Sequence, residues 1–168
     1  QRRGVLDAGC SRDDQAGVEG NYVLNVSYSD APQGAFCDDP LFAELGSQDY
    51  ETASLLQDGI GSGAAGCFSP ANNALFFEWT APCDGDLTVD TNGSLYDTRL
   101  ELYTADQCPD FATAIDCDDD DGDGLDSLIG PVPVVGGETY IIVAGGFGGS
   151  TGEGILTLTF ENYALPVV

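Results

Sequence analysis

The sequence predicts an all-β protein: an antiparallel β-sandwich of jelly-roll type, folded as a single domain with an N-terminal extension strand. Three observations carry this prediction. Period-2 alternation recurs along the chain, while no apolar 3.6-residue pattern lasts more than a few positions. The 23 glycines and eight prolines supply many turns. Hydrophobic residues make up 42% of the 168, including one Trp, seven Tyr and eight Phe, which is too apolar for a disordered chain and enough for a real core.

The elements follow in order. Residues 1–19 (QRRGVLDAGCSRDDQAGVE) are polar and irregular. NYVLNVSY (21–28) is the first expected strand. The turn CDDP (37–40) leads into weaker strands near 41–45 and 50–56. A glycine-rich loop, GIGSGAAGC (59–67), precedes ALFFEWT (74–80), where Leu75, Phe77 and Trp79 share one face. DLTVDT (86–91) points Leu87 and Val89 one way. After the turn TNGS (91–94), DTRLELYT (97–104) puts Leu100 and Leu102 on one face. FATAIDC (111–117) should pair with it as a hairpin. SLIGPVPVV (127–135) carries two prolines, which suits an edge strand. ETYIIVAG (138–145) is apolar on both faces and should be central. EGILTLTFEN (153–162) closes the fold with Leu156, Leu158 and Phe160 inward. The chain therefore divides into an arm, 1–36, with one extra strand, and a sandwich body, 37–168.

The charge is extreme: 29 acids against four arginines, with no lysine and no histidine, for a formal charge of −25. Such a body has no basic face for phosphate, so nucleic acid is excluded as a partner. Bound cations would relieve its self-repulsion. Three of the four arginines, Arg2, Arg3 and Arg12, fall in the first twelve residues. A small basic arm is thus joined to an acidic body, and it suits docking on an acidic surface, its own or a neighbour's. The absence of lysine also rules out a Lys–Asn isopeptide cross-link.

The acid density peaks in DCDDDDGDGLDS (116–127). Asp119-x-Asp121-x-Asp123-Gly124 fits the start of the calcium-loop pattern D-x-D-x-D-G. Alternate carboxylates can reach one centre, and hard oxygen donors on a flexible loop suit calcium better than magnesium. The twelfth position is Gly130 and not Glu, so the loop is no EF-hand and needs a ligand from elsewhere. The expected hairpin brings Asp97 to the same end as the loop after Cys117, and the turn after Asp90 arrives there too. Asp90, Asp97, Asp118, Asp119, Asp121, Asp123 and Asp126 are therefore the candidate ligands for one or two Ca2+ ions. A solvated acidic turn is the competing reading.

Six cysteines in a short chain fit a disulfide framework in an oxidising compartment. Without a C-x-x-C pair or a histidine, a zinc site is the weaker alternative. Cys108 and Cys117 flank a short segment, and a bridge between them would pin the hairpin. Cys10, Cys37, Cys67 and Cys83 then leave three possible pairings. Nothing reads as a membrane span or a signal peptide, and the chain opens on Gln1, as a processed, exported protein would.

FFEWTAPCDGDLTVDTNGSLYDTRLELYT, CDDDDGDGLDS and GGETYIIVAGGFGGSTGEGILTLTF together resemble the bacterial pre-peptidase C-terminal domain. The matching positions are Phe77–Thr80, Gly85–Thr91, Ser94–Leu100, Cys117–Asp119, Gly137–Val143 and Gly154–Phe160, with CDDPLF (37–42) as the opening. The resemblance covers about 37–160 and leaves 1–36 outside. It implies a secreted β-sandwich, usually an accessory module beside exported hydrolases, in a family where some members bind calcium and some bind matrix or carbohydrate.

Catalysis is not expected. Without histidine, Ser–His–Asp and Cys–His sites cannot exist. Asp97-Thr98-Arg99 only partly matches the Asp-Thr-Gly of aspartic proteases, and in one copy. The favoured reading is an extracellular or cell-surface structural and adhesive subunit. EGNYVLNVSYSDAP (19–32) aligns with EGILTLTFENYALP (153–166), so the first strand looks like the last. Such a chain could lend its first strand to another copy and build a filament, with Arg2, Arg3, Tyr22, Leu24 and Val26 at the contact. The alternative is a carbohydrate- or matrix-binding accessory module, with Tyr96, Tyr103 or Phe147 stacking on sugars. Asn25-Val26-Ser27 and Asn92-Gly93-Ser94 match the glycosylation sequon.

Overall fold

The computed structural model describes residues 33–53, 73–108 and 113–163. The strand expected over 21–28 lies outside these residues, as do Arg2, Arg3, Tyr22, Leu24, Val26, Cys10, Cys67 and the Asn25 sequon.

Among the described residues, nine strands form two sheets. They are β1 (Leu41–Phe42), β2 (Gly46–Glu51), β3 (Leu75–Thr80), β4 (Gly85–Asp90), β5 (Thr98–Thr104), β6 (Asp116–Asp118), β7 (Leu128–Val134), β8 (Thr139–Gly146) and β9 (Glu153–Asn162). One sheet runs β1-β3-β8-β5-β6 and the other β2-β9-β4-β7. Every pairing is antiparallel except β1 with β3. This is the all-β sandwich that the alternation predicts.

The core fills the space between the sheets. Leu75, Phe77 and Trp79 of β3, Leu87 and Val89 of β4, Leu100 and Leu102 of β5, and Leu156 and Leu158 of β9 all enter it. Those are the faces read from the sequence, because a pleated strand with one apolar side has one register that buries it. β8 is central, as its apolar run requires, and β7 with Pro131 and Pro133 is an edge. β5 and β6 form the expected hairpin.

Some elements differ from expectation. The weaker strands near 41–45 and 50–56 become β1 over two residues and β2 over 46–51. Only Tyr50 is a large apolar residue in β2, so its extent is set by main-chain pairing with β9 and not by a hydrophobic pattern. β6 is three residues long, shorter than the expected 111–117. Of the expected arm, residues 34–36 belong to the body: Phe76 N–H donates to Gly34 O at 2.8 Å and Ala35 is buried.

The Cys108–Cys117 bridge is not formed. Register sets Cys117 opposite Glu101, three strand positions from the end of β5 at Thr104, while Cys108 lies beyond that end. Three positions span about 10 Å, further than a disulfide reaches. Cys108 pairs instead with Cys37, 71 residues earlier, at a Cα–Cα distance of 5.9 Å. Closing a loop of that length removes about 4 kcal/mol of chain entropy from the unfolded state. Cys83 and Cys117 are disulfide-bonded as well. No helix among the described residues is long and apolar enough to cross a membrane.

Candidate cation-binding pole

Three connections meet at one end of the sandwich. Residues 91–97 cross from β4 to β5, residues 119–127 cross from β6 to β7, and residues 147–152 join β8 to β9. This is the convergence expected for Asp90, Asp97 and the acidic loop.

A buried knot of hydroxyls ties the first two crossings together. Thr91, Thr98 and Ser127 are fully buried. Thr91 Oγ1 and Thr98 Oγ1 are 2.6 Å apart, and Thr98 Oγ1 lies 3.0 Å from Ser127 Oγ. Ser127 N–H donates to both threonine hydroxyls, at 2.8 and 2.9 Å. Ser127 Oγ also donates to Asp119 O at 3.2 Å, so the acidic loop hangs directly from the knot. Buried polar groups must be paired, and here each satisfies the others. Gly122 completes the packing, since a Cβ there would stand 2.5 Å from Asp126 O.

The carboxylates then divide by role. Asp118 Oδ2 accepts the amides of Asp121 and Leu128, both at 2.9 Å. Asp126 Oδ2 accepts Gly93 N–H at 2.9 Å, and Asp90 Oδ1 accepts Asn92 N–H at 3.1 Å. These three build the loops. Asp121 and Asp123 are exposed, and the Asp123 amide donates to Asn92 Oδ1 at 2.7 Å. The Asn92 sequon is thus part of a hydrogen-bonded turn.

Asp97 and Asp119 are placed differently. Asp97 Oδ1 is buried without a hydrogen-bond partner. Burial first, then the Asp120 carboxylate, raise its pKa above the ordinary aspartate range. Asp119 is raised by burial, then by Asp120, Asp118 and Asp97 in turn. Negative charge at this pole is therefore concentrated around Asp97, Asp119 and Asp120, with the Arg99 guanidinium near enough to feel Asp119. The D-x-D-x-D-G reading named Asp121 and Asp123 and passed over Asp120. Among the described residues, no three His, Cys, Asp or Glu side chains stand in position to enclose an ion. What fits calcium here is the donor chemistry: a buried, unpartnered carboxylate oxygen beside a second repelled carboxylate, in a loop of carbonyl and carboxylate oxygens.

The aromatic candidates for sugar stacking fare unequally. Tyr103 is fully buried, and its hydroxyl donates to the Glu101 carboxylate. Tyr96 is half-buried and donates to Tyr50 Oη at 2.8 Å. Phe147 remains 45% exposed. Sequence alternation places Tyr103 outward correctly but cannot show that the outer face of its sheet is covered.

No protein-family model matches the chain, and no curated protein matches it. Three solved structures align with it at low similarity. A periplasmic inhibitor of g-type lysozyme from Aeromonas hydrophila, PliG, aligns with TM-score 0.44 and 12% identity over 73% of this chain and 96% of that one. The pre-peptidase C-terminal domain of a Bacillus anthracis collagenase gives 0.41 and 11%, over 78% and 100%. A Podospora anserina GH26-CBM35 β-(1,4)-mannanase gives 0.35 and 14%, over 73% of this chain and 29% of the mannanase. The sandwich is established by its own two sheets and not by these likenesses.

Proposed function

We propose that this protein is a secreted, non-catalytic, calcium-binding β-sandwich that serves as a structural or adhesive subunit and assembles with other copies through its N-terminal arm. One observation carries the reading. Arg99 is the single cationic side chain among the described residues, and it is held by Glu101 at 2.9 Å. Nothing else in the described body offsets its carboxylates. Counter-charge must come from bound cations and from partner groups, and the chain's other arginines all lie in its first twelve residues. The disulfide supports an oxidising, extracellular setting.

Calcium at the pole would be held by Asp97 and Asp119, with Asp120, loop carbonyls and water completing six to eight oxygens. It would neutralise repulsion and fix the crossings, with no chemical step. Thermal melting with and without EGTA, with magnesium as control, tests this. Calcium at 100 times its Kd should add about 2.7 kcal/mol. That corresponds to a loss of about 5–10 °C in Tm on chelation. An unchanged Tm removes calcium from the account. Electron microscopy of the full chain tests assembly, and a protein that stays monomeric at all concentrations removes that part.

The second reading, an accessory module for polysaccharide or matrix, draws support from exposed Phe147. A glycan array that retains the monomer would favour it over assembly.

A further inference from the structure

A groove of about 700 Å³ lies on the outer face of the β2–β9 pair, bordered by Gly93 and Leu95 of the 91–97 crossing. Its rim is acidic, from Asp49 and Glu51 on β2 and Glu153 on β9. Its floor is apolar, from Ile155 and the 76% exposed Leu95. Register sets Glu51 directly opposite Glu153 and Asp49 opposite Ile155. Like charges facing each other across a strand pair destabilise it, and the Glu51–Glu153 pair has no cation beside it among the described residues. Glu51 Oε1 takes the Ala53 amide, which leaves the repulsion in place. β2 is also an edge of its sheet. The site therefore combines a strand edge unpaired among the described residues, an acidic rim and an aliphatic floor.

We infer that this groove receives residues Arg2–Leu6 of a second copy, laid along the β2 edge. This rests on the assembly reading above and names its docking site. Charge complementarity argues for it, because Arg2, Arg3 and Arg12 are the chain's other cations. The chemistry matches in detail. In an extended strand alternate residues share a face. QRRGVL thus offers the groove either Arg2 with Leu6 or Arg3 with Val5, one guanidinium for the rim and one aliphatic group for the floor. Length permits it: 32 residues precede Gln33 and span up to roughly 100 Å when extended.

The test uses the lysine-free sequence. Arg2→Lys and Arg3→Lys, made singly in the full chain, each introduce one lysine for carbodiimide coupling to nearby carboxylates. An equal mixture of isotope-labelled and unlabelled protein is coupled, digested and analysed by mass spectrometry. The expected cross-links join the introduced lysine to Asp49, Glu51 or Glu153 across a labelled and an unlabelled chain. In parallel, the full chain carrying Asp49→Asn, Glu51→Gln and Glu153→Gln should self-associate at least tenfold more weakly in sedimentation equilibrium. Links to these carboxylates within one chain only would show that the groove holds its own arm, and would overturn the inference. So would assembly of undiminished strength in the triple variant with links elsewhere, which would leave the assembly reading standing. A full chain that never associates would overturn both.

Discussion

The two sheets of this sandwich share one core yet differ on their outer faces. In the five-stranded sheet the central strands β5 and β8 are buried on both faces. Phe76, Tyr103, Ile141 and Val143 form a second apolar cluster with Cys37, and Cys37 is bonded to Cys108 beside it. Even the polar residues of that face are enclosed, Arg99 at 4% and Glu101 at 1% exposure. In the four-stranded sheet the outer face carries Ser47, Asp49, Glu51, Asp86, Thr88 and Glu153, all at least partly exposed. One sheet spends its charges as a paired, buried couple. The other presents them without a cationic partner among the described residues. The first sheet therefore encloses its charges, and the second carries them at the surface of the described residues.

Four substitutions test this contrast. Phe76→Ala on the covered face should destabilise by about 3–5 kcal/mol, through lost burial and the cavity left behind. Thr88→Ala on the partly exposed outer face of β4 should stay within about 0.5 kcal/mol. Urea denaturation of both measures the asymmetry, and equal effects would erase it. Glu101→Gln should cost about 3 kcal/mol, because it leaves the Arg99 guanidinium buried without its countercharge. Burial already pulls the Arg99 pKa down, and Glu101 is the largest influence holding it up. The smallest effect has the opposite sign. Glu153→Gln should stabilise the isolated monomer by about 0.2–1 kcal/mol at low salt, by removing the repulsion with Glu51, and the gain should fade as salt rises.

Much of the fold was legible in the sequence. Except for the shortened β6, strand positions from β3 to β9 follow the sequence pattern, because inward Leu75, Phe77 and Trp79, or Leu156 and Leu158, leave one register that buries them. β2 was misplaced because GSQDYE has no such pattern, and its bounds come from its partner strand. The convergence of Asp90, Asp97 and the acidic loop followed from the hairpin. Which carboxylates would face an ion did not. Hydrogen bonds to backbone amides occupy Asp90, Asp118 and Asp126, and motif spacing carries no record of those amides. The Thr91–Thr98–Ser127 knot was likewise invisible, since threonine and serine are common in turns and only their meeting gives them meaning.

By itself, then, the sequence determined the fold class, the inward faces, the central place of β8 and the acidic character of the body. These depend on local alternation and on composition, which act wherever a residue sits. Tertiary structure alone decided that Cys37 pairs with Cys108, that Arg99 and Glu101 are enclosed, and that Glu51 faces Glu153. Each of these depends on which distant segments become neighbours. That is set by strand register and sheet order, through the combined burial of the whole core.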